Sequence, residues 1–175
     1  NFTDLIKNIF YMDALAFCAM NDEEVKSTVK ILELHFNNIK NAISENFPNI
    51  YLDTDHCVLE PSFYSPVFGL QGRLDLFHKK VGEDKAAIVE LKSGKLFMPN
   101  TYGLNTNHYT QTLLYELLIK STFNFKVKPL NFVLYSAVSD KSIRFAPSIS
   151  VQQKEALSIR NDIAIIEENL VKAKS

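Results

Sequence analysis

Three charged side chains near the middle of the chain could together form a hydrolytic site. Asp75 ends the run Gly-Arg-Leu-Asp, and a second run over 88–94 carries Glu90 and Lys92 two residues apart. Two neighbouring carboxylates repel each other, and a divalent cation bound between them removes that conflict. Mg²⁺ prefers oxygen ligands and can activate a water molecule beside a phosphate. These residue types indicate a metal-dependent phosphodiesterase.

The strands predicted around these residues would bring them together. A strand over 86–92 places Glu90 and Lys92 on one face, because side chains alternate along a strand. The strand predicted over 69–77 should form a hairpin with it, so that Asp75 can face Glu90. Lys92 would then position a water molecule or stabilise developing charge. The alternative is a solvated Glu90–Lys92 ion pair on an edge strand, with Asp75 unrelated to it.

A predicted helix over 108–121 supplies a second polar group. His108, Gln111 and Tyr115 lie at positions i, i+3 and i+7, so they share one helix face, and leucines occupy the opposite face. Such a stripe beside a metal site could hold a substrate phosphate or a base. The alternative is that Gln111 is exposed and Tyr115 is ordinary amphipathic packing.

Apolar periodicity predicts eight elements in the order α-α-β-β-β-α-β-α. Helices are predicted over 1–20, 22–46, 108–121 and 151–172. Strands are predicted over 56–60, 69–77, 86–92 and 130–138, and loops over 61–66 and 98–107. This order predicts an α/β fold with a central mixed β-sheet flanked by helices.

Composition indicates one globular domain over 1–175, or one domain of something larger. Its net charge is −1, so any contact with nucleic acid must depend on local lysines and arginines. The two cysteines, Cys18 and Cys57, are too few for a four-Cys cluster, so no iron–sulfur cluster is possible within this chain. We expect them to be reduced, in a cytoplasmic protein of bacterial origin. No apolar run is long enough to span a membrane, and no signal peptide is visible.

Taken together, these motifs resemble the PD-(D/E)XK nuclease superfamily. The resemblance is carried by Gly-Arg-Leu-Asp at 72–75, by Glu-Leu-Lys-Ser-Gly at 90–94 and by Gln111-x-x-x-Tyr115. The Gln/Tyr helix is similar to that of the RecB-like branch. Three segments further resemble the nuclease domain of the replication helicase–nucleases that trim Okazaki flaps; they are 65–75, 108–115 and 160–164.

The resemblance implies a restriction-endonuclease-like core and a set of catalytic roles. Asp75, Glu90 and the backbone carbonyl of Leu91 would bind Mg²⁺ or Mn²⁺, and Lys92 would be the catalytic lysine. The implied reaction is cleavage of DNA at single-stranded ends or flaps, in replication, repair or recombination. Because the chain begins at Asn1 rather than Met, we expect it to be part of a longer protein, with a helicase domain as a candidate neighbour.

The resemblance implies substrate contacts on the predicted helix, and the sequence itself offers further ones around the site. Gln111 and Tyr115 would touch DNA or orient the lysine, and His108 shares their helix face. Arg73 and Lys95 lie close to the site in sequence and could contact phosphates, with an affinity that falls as salt rises. The loop aromatics at 97 and 102 could stack on unpaired bases.

The remaining histidines fit this scheme less well. The RecB-like branch usually has a metal-binding histidine on a helix before the aspartate. His35 lies on such a helix but borders its apolar stripe, so we predict a packing or surface role and expect the true counterpart upstream of Asn1. His56 is predicted to begin a strand, and His78 is predicted to be exposed near a turn.

Two other interpretations are open. The chain could be a catalytically incomplete DNA-binding module of the same fold, because the expected histidine ligand is absent from it. It could also be a protein-interaction domain whose long helices over 22–46 and 151–172 dock a partner.

Overall fold

A computed structural model describes residues 1–173 and contains six α-helices and seven strands within that range. The helices are α1 (Phe2–Met12), α2 (Ala14–Cys18), α3 (Asp22–Asn41), α4 (Phe47–Asn49), α5 (Thr106–Thr122) and α6 (Ser150–Ala173). The strands are β1 (Cys57–Leu59), β2 (Ser62–Ser65), β3 (Leu70–Arg73), β4 (Leu76–His78), β5 (Lys85–Lys92), β6 (Lys128–Tyr135) and β7 (Ile143–Ala146). A π-helical turn (Ala42–Asn46) follows α3, and a 3₁₀ turn (Thr54–His56) precedes β1.

Five of the strands form one mixed sheet in the order β1-β4-β5-β6-β7, and helices flank it. The central strands β5 and β6 are parallel, with Glu90 opposite Val133, and α5 is the crossover between them. The other neighbours are antiparallel, and the β4–β5 hairpin pairs Leu76 with Val89. The predicted α/β fold with a central mixed sheet and flanking helices is confirmed.

The two faces of β5 are buried against different elements. Ala87 and Val89 pack with Phe47 and Leu52, from the segment that joins α3 to β1. Ile88 packs on the other face, against residues of α5 and of the preceding strands: Leu74, Phe77, Leu118 and Ile119. Since alternate residues share a face, Glu90 and Lys92 lie with Ile88 on the α5 side.

The predicted strand over 69–77 is in fact two strands that belong to different sheets. β3 pairs with β2 in a separate two-stranded sheet, whereas β4 pairs with β1 and β5. The chain changes partners at Leu74 and Asp75, where Leu74 N–H donates to the carbonyl of Pro61 and the carbonyl of Asp75 accepts from Glu60 N–H. Asp75 therefore lies at the junction of the two sheets.

Three smaller elements also differ from the prediction. The predicted loop over 61–66 contains β2, whose four residues lie between two prolines, positions that a strand end tolerates. Strand β7 was missed because its four residues are too few for a periodic pattern. The helix predicted over 1–20 is interrupted at Asp13, which separates α1 from α2.

A buried polar network attaches α5 to β6 and α6. Glu116 on α5 is 1% exposed, and its carboxylate accepts hydrogen bonds from Asn131 Nδ2 (2.9 Å), Gln153 Nε2 (3.0 Å) and Ser148 Oγ (2.7 Å). Lys120, one turn further along α5, forms an ion pair with the same carboxylate. A buried charge that is paired and hydrogen-bonded in this way holds α5 in one position on the sheet.

No helix within residues 1–173 combines the length and the apolar character that crossing a membrane requires.

Candidate functional site

Glu90 is a buried carboxylate near the carboxyl end of β5, with 3% of its surface exposed. Its Oε1 accepts hydrogen bonds from Lys92 Nζ (2.6 Å) and from Gln111 Nε2 (2.7 Å). Its Oε2 is also buried and has no hydrogen-bond partner among residues 1–173. An unpartnered buried carboxylate oxygen is unfavourable, so a cation bound at this atom would stabilise the site.

The surroundings of Glu90 act on its charge in opposite directions. Burial raises the pKa of the Glu90 carboxyl above its ordinary value, and the nearby Asp75 carboxylate raises it further. The hydrogen bonds from Lys92 and Gln111 lower the pKa and offset part of that shift. The net direction is upward, chiefly because the carboxyl is buried, and a cation bound beside Glu90 would favour its charged form.

Asp75 immediately precedes β4, whose first residue Leu76 pairs with Val89, and it lies close enough for its charge to act on Glu90. Its Oδ2 accepts a hydrogen bond from the backbone N–H of Leu91 at 2.7 Å. This bond fixes the Asp75 side chain against the end of β5. The backbone of Leu91 therefore meets Asp75 through its N–H, and the role predicted for its carbonyl stays a prediction.

The donor set of this site suits a hard divalent cation. Asp75 and Glu90 offer carboxylate oxygens, which Mg²⁺ and Mn²⁺ prefer over nitrogen or sulfur ligands. The Glu90 Oε2 supplies a ligand atom that no donor among the described residues occupies. The residues present therefore fit the cofactor predicted from the sequence.

Gln111 and Tyr115 on α5 connect this carboxylate to β3. The Gln111 amide donates both to Glu90 Oε1 and to the Tyr115 hydroxyl (2.8 Å), and Tyr115 in turn donates to the carbonyl of Arg73 (2.9 Å). Gly72 permits this arrangement, because a Cβ at that position would lie 2.9 Å from Tyr115 Cε1. The predicted helix stripe thus positions the carboxylate rather than facing solvent.

His108, the third residue of the stripe, contacts a different partner. Its Nδ1 lies 3.1 Å from the hydroxyl of Tyr135, which accepts the backbone N–H of Asn105. Burial lowers the pKa of His108, and the positive charge of Lys92 lowers it further. His108 therefore lies within electrostatic range of Lys92 without a hydrogen bond to either carboxylate.

Two predicted substrate contacts lie outside this cluster. The side chain of Arg73 forms an ion pair with Glu60, and both are 62% exposed. Lys95 is exposed in the segment that follows β5. The structure therefore brings Asp75, Glu90 and Lys92 together with the α5 residues, and it leaves these two basic residues at the periphery.

His35 contacts Ser136, the residue that follows β6, and forms no hydrogen bond with the carboxylates. Its Nδ1 lies 2.8 Å from Ser136 Oγ, and Ser136 N–H donates to the carbonyl of Lys92. Asn38, one turn further along α3, donates to the carbonyl of Ser136. His35 thus helps to attach α3 to the sheet, in agreement with the packing role predicted for it.

A second group of chemically active side chains was not predicted from the sequence. Asp53, His56 and His78 place ligand atoms within 4.8 Å of one another and could hold a metal ion. The hydrogen bond from His56 holds the pKa of the Asp53 carboxyl well below its ordinary range. His78 was expected to be exposed, but it is buried because it belongs to β4, between β1 and β5.

Replacing Gly72 should disturb the site through Tyr115. In Gly72→Ala, the new methyl group would collide with the Tyr115 ring, and we expect a loss of about 1–3 kcal/mol in the free energy of unfolding. Urea unfolding measures this change. Gly94→Ala is the matched control, because a Cβ there meets no atom within 4 Å. Equal stability of the two variants would contradict the close packing at Gly72.

The lowered pKa of His108 predicts a pH-dependent difference in stability. The unfolded chain binds this proton more tightly, so the free energy of unfolding should fall as the pH drops below about 6.5 towards the folded pKa. The variant His108→Gln has no imidazole at this position and therefore lacks this part of the pH dependence. Urea unfolding of both proteins between pH 7.5 and 5 should show the wild type losing stability relative to the variant, since the other histidines are common to both. If the difference in the free energy of unfolding between the two proteins did not change with pH, burial would not lower the pKa of His108.

Comparison with known proteins leaves the function to be inferred from the residues. No family model matches the sequence, and no curated protein matches it. Among solved structures, the crystal structure of SSO0001 matches this chain at 15% sequence identity and a TM-score of 0.38. The alignment covers 94% of this chain and 74% of the chain in that structure. A likeness at that level carries no argument about function.

Proposed function

We propose that this chain is a metal-dependent nuclease domain that hydrolyses phosphodiester bonds of DNA at single-stranded ends or flaps. The observation that carries this proposal is the buried, unpartnered Oε2 of Glu90 beside Asp75 and Lys92. Two carboxylates and an ammonium group at one strand end suit a metal-assisted attack on a phosphate. The biological setting that fits such an activity is DNA replication, repair or recombination, with a helicase domain as a candidate partner in the same polypeptide.

The contacts of the side chains support a role for each of them, and the role of the Leu91 carbonyl is the one that the family resemblance implies. Asp75 and Glu90, with the carbonyl of Leu91, would hold Mg²⁺ or Mn²⁺, and the bound cation would supply Lewis acidity and a more acidic water molecule. Lys92 keeps its ammonium beside Glu90, where it can orient a water molecule or stabilise charge that develops on the phosphate. Gln111 holds the Glu90 side chain in one position through its hydrogen bond to Oε1.

The segment between β5 and α5 carries side chains that can contact single-stranded DNA. Phe97 is 76% exposed, so its ring is open to stacking with an unpaired base. The ring of Tyr102 packs against Tyr109 on one side and is partly exposed on the other. Lys95 lies in the same segment and can contact phosphate oxygens. These features favour a single-stranded substrate that enters the site at the carboxyl end of β5.

One observation favours a DNA-binding module without catalysis as the second candidate. No imidazole within residues 1–173 forms a hydrogen bond with Asp75 or Glu90, because His35 contacts Ser136 and His108 contacts Tyr135. Neither residue is therefore hydrogen-bonded to the two carboxylates, and the histidine ligand implied by the RecB-like resemblance stays a prediction. A site with two carboxylates alone would bind the cation more weakly.

A cleavage assay with labelled single-stranded DNA and Mg²⁺ or Mn²⁺ tests the proposal. We expect Glu90→Gln and Lys92→Met to lower the cleavage rate by about 100-fold or more, because one removes a metal ligand and the other the neighbouring positive charge. Lys85→Met is the matched control, since Lys85 is exposed at the opposite end of the same strand. Its cleavage rate should equal that of the wild type.

Three results would overturn the nuclease proposal. Undiminished cleavage by Glu90→Gln would show that the activity does not arise at this site. Salt-dependent DNA binding without product, at every metal concentration, would instead identify the binding module. Absence of DNA binding even at low salt would exclude both functions and favour a protein-interaction domain.

A further inference from the structure

A second cluster of metal-ligating side chains lies at the β1 edge of the sheet. Asp53 Oδ1 is 2.5 Å from His56 Nδ1, and Asp53 Oδ2 is 3.3 Å from His78 Nε2. All three ligand atoms lie within 4.8 Å of one another. His78 is 8% exposed, whereas the other two side chains are open to solvent, so an ion could reach the group from outside.

Local backbone geometry brings these three residues together. Asp53 caps the 3₁₀ turn Thr54–His56, and its side chain accepts the N–H of His56. Residues three apart in a 3₁₀ turn lie directly above one another, which places Asp53 and His56 side by side. The β1–β4 register pairs Cys57 with His78, so the neighbouring strand β4 places the second imidazole next to the turn.

We propose that Asp53, His56 and His78 bind one divalent transition-metal ion of the Zn²⁺ class, at a site separate from the proposed nuclease site. Imidazole nitrogens suit Zn²⁺, Cu²⁺ and Ni²⁺, whereas Mg²⁺ selects oxygen ligands. Two imidazoles and one carboxylate are an established three-ligand set for Zn²⁺, with a water molecule in the fourth position. The ion replaces the Asp53–His56 hydrogen bond with two metal–ligand bonds.

The sheet separates this cluster from Glu90. His78 pairs with Ala87, which lies three residues from Glu90 along β5, a distance of roughly 10 Å. Ala87 packs on the face that contacts Phe47 and Leu52, whereas Glu90 faces α5. Metal binding at the two places is therefore independent, and the second proposal does not rest on the first.

Lys80 competes with a metal ion for the carboxylate. Its Nζ lies 3.1 Å from Asp53 Oδ2, the oxygen that also faces His78. The Lys80 side chain is partly exposed and can move into solvent when an ion binds. Removing this ammonium should therefore strengthen metal binding. A group that is only hydrogen-bonded would show no such gain in metal affinity.

The bound ion would connect the turn before β1 to the sheet. Asp53 and His56 belong to the segment that links the N-terminal helices to β1, and His78 belongs to β4. An ion that binds the folded state alone raises the melting temperature, by about 5–10 °C at a hundredfold excess over Kd for a chain of this size. The site would thus stabilise the junction between helices and sheet.

Titration of chelator-treated protein with Zn²⁺, followed by calorimetry and by thermal unfolding, tests this proposal. We expect saturable binding at a site that Glu90→Gln leaves intact, and a rise in melting temperature. His56→Gln and His78→Gln should each weaken binding by at least about tenfold, and Lys80→Met should strengthen it. Two variants serve as controls that should retain Zn²⁺ binding: His35→Gln removes an imidazole elsewhere, and Glu90→Gln alters the proposed nuclease site.

Several outcomes would overturn the Zn²⁺ site. The proposal fails if the wild type shows no saturable Zn²⁺ binding. It also fails if His56→Gln binds Zn²⁺ as tightly as the wild type. Loss of binding in Glu90→Gln would assign the ion to the other face of the sheet. If His78→Gln fails to fold by circular dichroism, then His56→Gln and Asp53→Asn decide the question, because both residues are solvent-accessible.

Discussion

The burial of one carboxylate, Glu90, determines how the central part of this protein is arranged. A charge that is 3% exposed must be compensated, and Lys92 and Gln111 compensate only one of its two oxygens. Gln111 can reach Glu90 only when α5 lies close to β5, and the Tyr115 ring that supports Gln111 needs the bare backbone of Gly72. The close packing of α5 on the sheet is therefore also what holds the Glu90 carboxylate in position.

Helix α5 makes two buried polar contacts with its surroundings, at different places along its length. Its first half holds Glu90 through Gln111, and its second half carries Glu116, whose buried carboxylate is satisfied by Asn131 and neighbouring groups. The Glu116 carboxylate has protein partners on both oxygens, whereas Glu90 Oε2 has none in the part of the chain that the structure describes. The satisfied group stabilises the fold, and the unsatisfied group is the one suited to bind a ligand.

Sequence periodicity predicted the elements that build this site, because β5 and α5 are long enough to show it. The period of two placed Glu90 and Lys92 on one face, and the period of 3.6 aligned Gln111 with Tyr115. Short elements escaped prediction, since four-residue strands such as β2 and β7 carry little pattern. The Asp53 cluster was missed for a different reason: His78 joins it only through the β1–β4 register, which is a tertiary contact.

Crystallography of the protein with Mn²⁺, using anomalous scattering to locate the ion, tests the central claim most directly. The account predicts an anomalous peak in contact with Glu90 Oε2 and with the Asp75 carboxylate, and its loss in Glu90→Gln. The contradictory result would be a Glu90 Oε2 that contacts only protein groups or water at saturating Mn²⁺, with no ion shared between the two carboxylates.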